Sequence, residues 1–214
     1  MANFTRIGYG QVEPNQLSAQ KTGQIYASLP LAKEVAVLQN GEFMFYDYVT
    51  NTVSATDSTG VAEPMLVFNE VKIYEDHLSY KDFAMIRVGD NYTTSRPAIG
   101  TVTSANADGV VYGDGALTEG VNADPAHTEY GYRMDGFAPR LFKTNIGDIY
   151  TTNMVKTGVE YAVGNLLAPK ADEATKTLVL ETIEDAANEK MVWVVVKVYT
   201  MPDGQPGLKL QRVK

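Results

Sequence analysis

The 214-residue sequence contains no cysteine, only two histidines and a single tryptophan. The absence of cysteine excludes disulfide bonds, thiol nucleophiles and cysteine-based zinc sites together. His77, in YEDHLSY, and His127, in ADPAHTEY, do not have the spacing of metal ligands or of a catalytic triad, so we interpret both as satisfied or solvated side chains. The absence of cysteine and the scarcity of histidine argue against metal-dependent and nucleophilic catalysis.

Long hydrophobic runs and clustered basic residues are also missing. No run approaches the roughly 18 apolar residues that span a bilayer, and MANFTRIGYG lacks the charged-then-apolar layout of a secretory signal. The formal net charge is -8, and Lys and Arg are scattered, whereas phosphate binding needs a concentrated basic surface. We therefore expect a protein synthesised in a cytoplasm, with neither a membrane nor a nucleic acid as partner.

Motifs that would carry catalysis or bind a cofactor are weak throughout. Paired glycines in GDGALTEG and GYGQ lack the strand and helix that a phosphate-binding loop requires, and no serine lies in a nucleophile elbow. Four acidic residues of the Gly-rich region do not match a calcium loop, and we interpret them as solvated turn carboxylates. No pair of carboxylates is singled out for glycoside hydrolysis. The sequence therefore predicts a protein that is not an enzyme and that requires no metal or organic cofactor. The four acidic residues are Asp108, Asp114, Glu119 and Asp124.

Composition and local patterns favour an all-β fold. Thirteen tyrosines and a hydrophobic content of 44% suit half-buried sheet surfaces. Asn40-Gly41, between two apolar runs, predicts a hairpin with a type I′ turn. A second hairpin is predicted from Val192–Met201 and Leu208–Val213, joined through Pro202, Asp203 and Gly204. Its first strand should present Val194, Val196 and Val198 on one face, opposite Trp193, Val195 and Lys197.

The chain divides into three ranges in this interpretation. Residues 1–30 form an extended N-terminal arm, and residues 31–136 form a β-rich region with a Gly- and Asp-rich insertion at about 89–135. Residues 137–214 form a small β-barrel-like region. At most two short helices are expected, one of them a turn at about 183–189. The expected fold is thus a small β-barrel or sandwich body with an arm.

Two segments of the chain are similar to each other. VGDNYTTS (Val88–Ser95) and IGDIYTTN (Ile146–Asn153) share five residues in register, and each follows a Phe-Ala pair. A duplicated strand-turn-strand unit would explain the similarity, and so would two turns with the same turn-forming residues.

The N-terminal segment NFTRIGYGQVEPNQLSAQKTGQIYASLP follows neither a helical nor a strand period. Its spaced apolar residues and many polar groups suit extended docking on another subunit. Two alternatives stay open, a frayed terminus and a strand of the protein's own sheet.

Two parts of the sequence resemble capsid decoration (cement) proteins of tailed bacteriophages. They are VEPNQLSAQKTGQIYASLPLA and the C-terminal layout IGDIYTTNMV, YAVGNLLAP and VWVVVKVYTMPDGQPGLKLQRV. The resemblance implies a structural virion protein that binds the outside of the phage head and bridges capsomers. Its partners would be the major capsid protein and copies of itself, with a homotrimer favoured.

The alternative functions are a minor capsid protein, a head fibre, or a receptor- or carbohydrate-binding β module, which would need a cluster of exposed aromatic side chains. For the partner-binding hypothesis, Tyr and Arg supply contact area and directional hydrogen bonds. The predicted contact residues are Phe4, Arg6, Tyr9, Gln11, Leu17 and Tyr26 in the arm, with Arg96, Arg133 and Arg140 outside it.

Overall fold

Short strands and tight turns make up most of the structure, and the all-β prediction is confirmed. The computed structural model describes residues 4–6, 10–32, 34–35, 37–69, 85–87, 138–201 and 204–214. No helix in these ranges is long and apolar enough to cross a membrane. The elements are β1 (Val12–Gln16), α1 (Ser18–Thr22), β2 (Ile25–Tyr26), β3 (Val37–Gln39), β4 (Phe43–Asp47), β5 (Thr52–Ser54), β6 (Met65–Val67), β7 (Met85–Arg87), β8 (Leu141–Phe142), β9 (Ile149–Thr152), β10 (Leu166–Asp172), β11 (Thr177–Ile183), β12 (Trp193–Thr200) and β13 (Pro206–Arg212).

Most of the described strands belong to one antiparallel sheet, which curls around its own inner face. Its order is β1-β9-β13-β12-β10-β11-β4-β6-β8-β2, with β5 paired to β4, while β3 and β7 pair separately. Four strands separate β9 from β4 in this order, so a flat sheet would place the two about 24 Å apart. The rings of Tyr150 on β9 and Phe43 on β4 nevertheless lie 6.5 Å apart between centroids. The sheet must therefore curl strongly.

Aromatic side chains fill the inside of the curl. Trp193 on β12 lies 4.9 Å from Tyr150 in an edge-to-face arrangement and 6.0 Å from Phe43. All three rings are fully buried, and aliphatic side chains such as Leu167 and Leu180 surround them. Burial of such side chains is the main favourable term in folding, at about 25 cal/mol per Å² of apolar surface. We call this cluster the inner core.

A second apolar cluster covers the outer face of β4, β6 and β8. Leu31, Val35 and Leu38 come from the chain that precedes β4, and they pack against Met44 and Leu141 on the strands. Leu31, Val35 and Leu38 thus cover this face of the sheet, and β4 is buried on both faces.

The N-terminal segment supplies both end strands of the large sheet. β1 pairs with β9 at one end of the strand order, and β2 pairs with β8 at the other. Nine chain steps that include the helical turn of α1 cover only about 20 Å, whereas the ends of a flat ten-stranded sheet would lie about 43 Å apart. The short segment can join both ends only because the sheet is curled.

The prediction of an extended arm is therefore corrected, and the alternative of strands in the protein's own sheet holds for residues 12–26. Leu17 and Ala19 lie in the inner core. The sheet draws its strands from all three sequence ranges, 1–30, 31–136 and 137–214. The aperiodic pattern has a physical cause, because a five-residue strand, one helical turn and a two-residue strand are each too short to show a period.

Asp148 fixes the helical turn of α1 against the turn before β9. Its carboxylate accepts hydrogen bonds from the Ser18 backbone N (3.0 Å) and the Ser18 hydroxyl (2.8 Å). The backbone N of Asn145 donates to the same carboxylate at 2.9 Å. At the other end of the turn, Gly23 has a positive φ of 71°, which suits the residue that ends a helix. One buried carboxylate thus ties the segment to the body.

The hairpin predicted at Asn40-Gly41 is wrong. The backbone N of Glu42 donates to the Gln39 carbonyl across the turn, but β3 pairs with β7, and β4 pairs with β5, β6 and β11. Gly41 has a positive φ and Asn40 does not, so the turn is not type I′. The Asn40 side chain instead bonds both backbone groups of Asn69. A Cβ on Gly41 would lie 2.6 Å from Met154 Cβ, so close packing also requires glycine.

The C-terminal hairpin is confirmed, since β12 and β13 pair along their length. Gly204 has the expected positive φ of 86°, while Pro202 and Asp203 lie outside the described residues. The helical turn predicted at about 183–189 is wrong, because Ile183 ends the long strand β11 and no helix follows it up to β12. The segment Val88–Ser95 of the suspected duplication lies outside the described residues.

Leu17 provides a direct test of the role of the N-terminal segment. Leu17→Ala should lower the free energy of unfolding by about 2–5 kcal/mol, because it leaves a cavity in the inner core. The matched control is Gln20→Ala, on the exposed side of the same helical turn, which should change stability by less than about 0.5 kcal/mol. Urea denaturation measures both. Equal stability of Leu17→Ala and the control would show that residues 12–26 are not part of the folded body.

Candidate functional site

Two of the predicted contact residues are unavailable to a partner because they are buried. Phe4 is 6% exposed, packs edge-to-face on Tyr161 at 5.5 Å, and is held through backbone hydrogen bonds with Val159 and Gly158. Leu17 lies in the inner core at 1% exposure. Both support the body of the protein, and the prediction that they bind a partner is corrected.

The other predicted contact residues do not converge on one surface. Gln11 pairs with Asn153 beside β9, whereas the ring of Tyr26 packs on Tyr46 at 5.3 Å in the second cluster. The guanidinium of Arg140 lies 5.6 Å from the ring centroid of Phe142 on β8. Arg6 lines a cleft that is described below. The remaining predicted contact and candidate residues, which lie outside the described residues, are Tyr9, Arg96, Arg133, His77, His127, Asp108, Asp114, Glu119 and Asp124.

A polar cleft of about 360 Å³ lies where the N-terminal segment meets the ends of β10 and β11. Its lining comes from four parts of the chain: the segment around Arg6, the turn before β4, the residues after β9, and the β10–β11 hairpin. The parallel bridge between Val155 and Leu180 brings the residues after β9 against β11. The charged lining residues are Arg6, Glu42, Lys156, Asp172, Glu173 and Glu181.

Glu42 lies at the base of this cleft and is 1% exposed. Its carboxylate accepts hydrogen bonds from the Gln39 backbone N at 2.7 Å and the Thr177 hydroxyl at 3.1 Å. Burial raises the pKa of Glu42 to about 7, while these hydrogen bonds and the nearby Arg6 charge oppose the rise. A carboxylate in this position changes its charge near neutral pH.

The outer carboxylates of the cleft are already paired. Glu181 binds Lys156 at 2.7 Å, and Glu173 binds Lys176 at 2.6 Å. Arg6 donates to the sulfur of Met154, and burial lowers the pKa of its guanidinium while Glu42 and Asp172 act to raise it. Within the described ranges, neither Glu42 nor Asp172 has a cation at ion-pair distance. No metal-binding group of three or more His, Asp or Glu occurs among the same residues.

A second feature is the open edge of β12. β12 pairs with β10 only through Trp193 and Val194, and Val195 bonds the chain just before β10. From Val196 to Thr200, in the part of the chain that the structure describes, β12 pairs on its β13 side alone. An unpaired strand edge is a template on which another extended chain can add.

Valine side chains surround this open edge. Val163, Val196 and Val198 are 68%, 41% and 44% exposed. A β-bulge at Val196 shifts the register between Val195 and Lys197, so Val198 shares a face with Trp193 rather than with Val194. The predicted alternation along β12 is therefore corrected. β10 begins at Leu166, opposite Val194, so none of its residues covers Val196 or Val198.

Neither the cleft nor the open edge was predicted from the sequence. Glu42 and Asp172 stand 130 residues apart, and nothing in either local pattern marks them as neighbours. For the strand edge there was a signal, because VWVVVKV has apolar residues at both parities. Such a run requires burial on both faces or an apolar exposed surface.

A comparison of the chain with protein-family models, with curated proteins and with solved structures found no match in any of the three. The function is therefore inferred from the geometry of the described residues and from the resemblance of the two sequence segments.

Glu42 should make stability depend on pH in the neutral range. Its pKa is higher in the folded protein, about 7, than its ordinary value of 4.5, so the folded state holds the proton more tightly. The stabilisation is complete below pH 4.5 and is lost as the pH rises through about 7. Relative to Glu42→Gln, which cannot ionise, the wild type should lose about 3 kcal/mol between these limits.

Chemical denaturation of both proteins at pH 4.5, 6 and 8 measures this difference. Glu173→Gln is the matched control, because its carboxylate is exposed and paired at the rim of the same cleft. A constant difference between wild type and Glu42→Gln across the range would contradict the assignment.

Proposed function

We propose that the protein is a structural virion protein of a tailed phage, which binds the outside of the capsid and stabilises the head by bridging capsomers. The observation that carries this proposal is the open edge of β12 with its exposed valines. Soluble proteins usually protect such edges, so an open apolar edge favours a protein partner. The resemblance to capsid decoration proteins supplies the identity of that partner.

The contact surface differs from the one expected from the sequence. Phe4 and Leu17 hold the body together, so the N-terminal segment is not a free arm that docks on the shell. We assign the contact to β12 from Val196 to Thr200, where an extended segment of the major capsid protein adds as a further strand. Val163, Val196 and Val198 then receive apolar side chains of the capsid protein.

A contact of modest affinity is sufficient for this role, because it is repeated many times over the shell. A shell presents many identical sites, and linked copies bind with an avidity that a single contact lacks. We also propose that neighbouring copies of the protein bind one another, with a homotrimer as the favoured assembly. Light scattering from the purified protein tests this assembly directly.

A carbohydrate-binding module is less well supported. Its sugar face would need several exposed aromatic rings. Tyr48 is the one aromatic side chain among the strongly exposed large hydrophobic residues of the described ranges, and its ring stands edge-on to Tyr46. This arrangement does not form a flat stacking face.

Charged substitutions at the open edge test the proposed contact. Val196→Asp combined with Val198→Asp should weaken co-sedimentation with expanded capsids at least tenfold, because two carboxylates would be buried in an apolar contact. Both positions are partly exposed, so the melting temperature should change by only a few degrees.

Val61→Asp is the matched control, since Val61 is 82% exposed and lies in the connection between β5 and β6. It should bind capsids like the wild type. Full capsid occupancy by the folded double variant would overturn the assignment of this edge. If neither the wild type nor the control bound capsids, the proposed function itself would be wrong.

A further inference from the structure

We infer that the open edge of β12 selects a partner strand in which an acidic residue lies opposite Lys197 and an apolar residue lies opposite Val198. This preference rests on the proposed function, because it names the chemistry of the capsid segment that adds to the edge. It follows from the two faces of β12, which differ in character from Lys197 onwards.

The face of β12 that carries Lys197 is basic at the open edge. Lys197 pairs directly with Lys209 on β13, and Lys209 in turn pairs with Thr151 on β9. Because cross-strand partners point to the same side of a sheet, the two lysine side chains lie next to each other, and like charges in this position are unfavourable. Neither lysine has a carboxylate at ion-pair distance in the part of the chain that the structure describes.

Tyr199 holds the Lys197 side chain against β12. The ammonium nitrogen of Lys197 lies 5.8 Å from the ring centroid of Tyr199, two residues further along the same face. The Tyr199 hydroxyl donates to a carboxylate oxygen of Glu13 on β1 at 2.6 Å, which anchors the ring to the sheet. Lys197 itself is exposed. Its charge is therefore kept close to β12, within reach of a side chain on a strand that adds alongside.

The opposite face of β12 is apolar. Val198 pairs with Leu208, a residue of the inner core, and Val195 lies on the same side. Val198 is nevertheless 44% exposed, since β12 pairs there on its β13 side alone within the described ranges. An added strand meets valine on one face and ammonium on the other, and its successive side chains point to opposite faces. A segment in which apolar and acidic residues alternate matches both.

Lys197 makes the edge selective. A lysine on an edge strand discourages pairing with uncharged or basic chains, and soluble proteins use this device against aggregation. The same charge favours a strand that brings a carboxylate, and specificity is the difference between the two affinities. A second copy of the protein would bring another Lys197–Lys209 pair to the edge, so the charges favour a different, acidic chain as the occupant.

Titration of the isotope-labelled full chain with two blocked heptapeptides tests this preference by NMR. One peptide alternates valine with glutamate, and the other alternates valine with lysine. We expect the glutamate peptide to shift the backbone amides of residues 196–200 saturably, and the lysine peptide to bind at least about tenfold more weakly. Lys197→Glu should reverse the preference. Lys21→Glu, at an exposed position of α1, makes the same change of charge and should keep the wild-type preference.

Equal affinity for the two peptides, binding of neither, or a preference for glutamate that Lys197→Glu retains would overturn the inference. Shifts of residues 196–200 that depend on protein concentration without peptide would also overturn it, since they would assign the edge to a second copy.

Co-sedimentation with expanded capsids separates this inference from the proposed function. Lys197→Glu should bind capsids at least about tenfold more weakly than Lys21→Glu, and equal binding of the two variants would overturn the inference. If the peptides behave as expected but neither the wild type nor Lys21→Glu binds capsids, the proposed function is wrong and the selectivity of the edge stands.

Discussion

The fold depends on one constraint, the pairing of a single short N-terminal segment with both ends of the large sheet. β1 bonds to β9 and β2 bonds to β8, with α1 between them. The segment is too short to span a flat sheet, so its pairing is compatible only with the curled form. The curl in turn brings Phe43, Tyr150 and Trp193 into contact across the interior. As a result, side chains from strands that are far apart in the strand order pack together in one inner core.

Two surface features lie on this curled sheet. β10 begins at Leu166, opposite Val194, so none of its residues lies beside the later part of β12. In the described ranges, β12 from Val196 to Thr200 is therefore left as an open edge. On another side, the chain after β9 meets β11 and leaves a cleft above Glu42. The edge offers backbone groups and valines, whereas the cleft offers charge.

Local sequence signals predicted the parts of the fold that depend on neighbours in the chain. The all-β class and the C-terminal hairpin followed from apolar alternation and from turn residues such as Gly204. Such signals could not predict pairing between distant parts of the chain. β1 pairs with β9, which lies more than 130 residues later, and Asn40 bonds Asn69 instead of closing a hairpin. The cleft was unpredictable for the same reason. The open edge had a signal in VWVVVKV, because its apolar residues occupy both faces of a strand, whereas the predicted alternation accounts for one apolar face.

Hydrogen–deuterium exchange of the protein bound to capsids tests the central functional claim most directly. The backbone amides of residues 196–200 that face away from β13 exchange freely in the unbound protein if the edge is open. On bound particles these amides should become protected, while those of the exposed tip at Tyr48 and Val49 should not change. Protection confined to other surfaces, with residues 196–200 exchanging at the same rate in both states, would contradict the account.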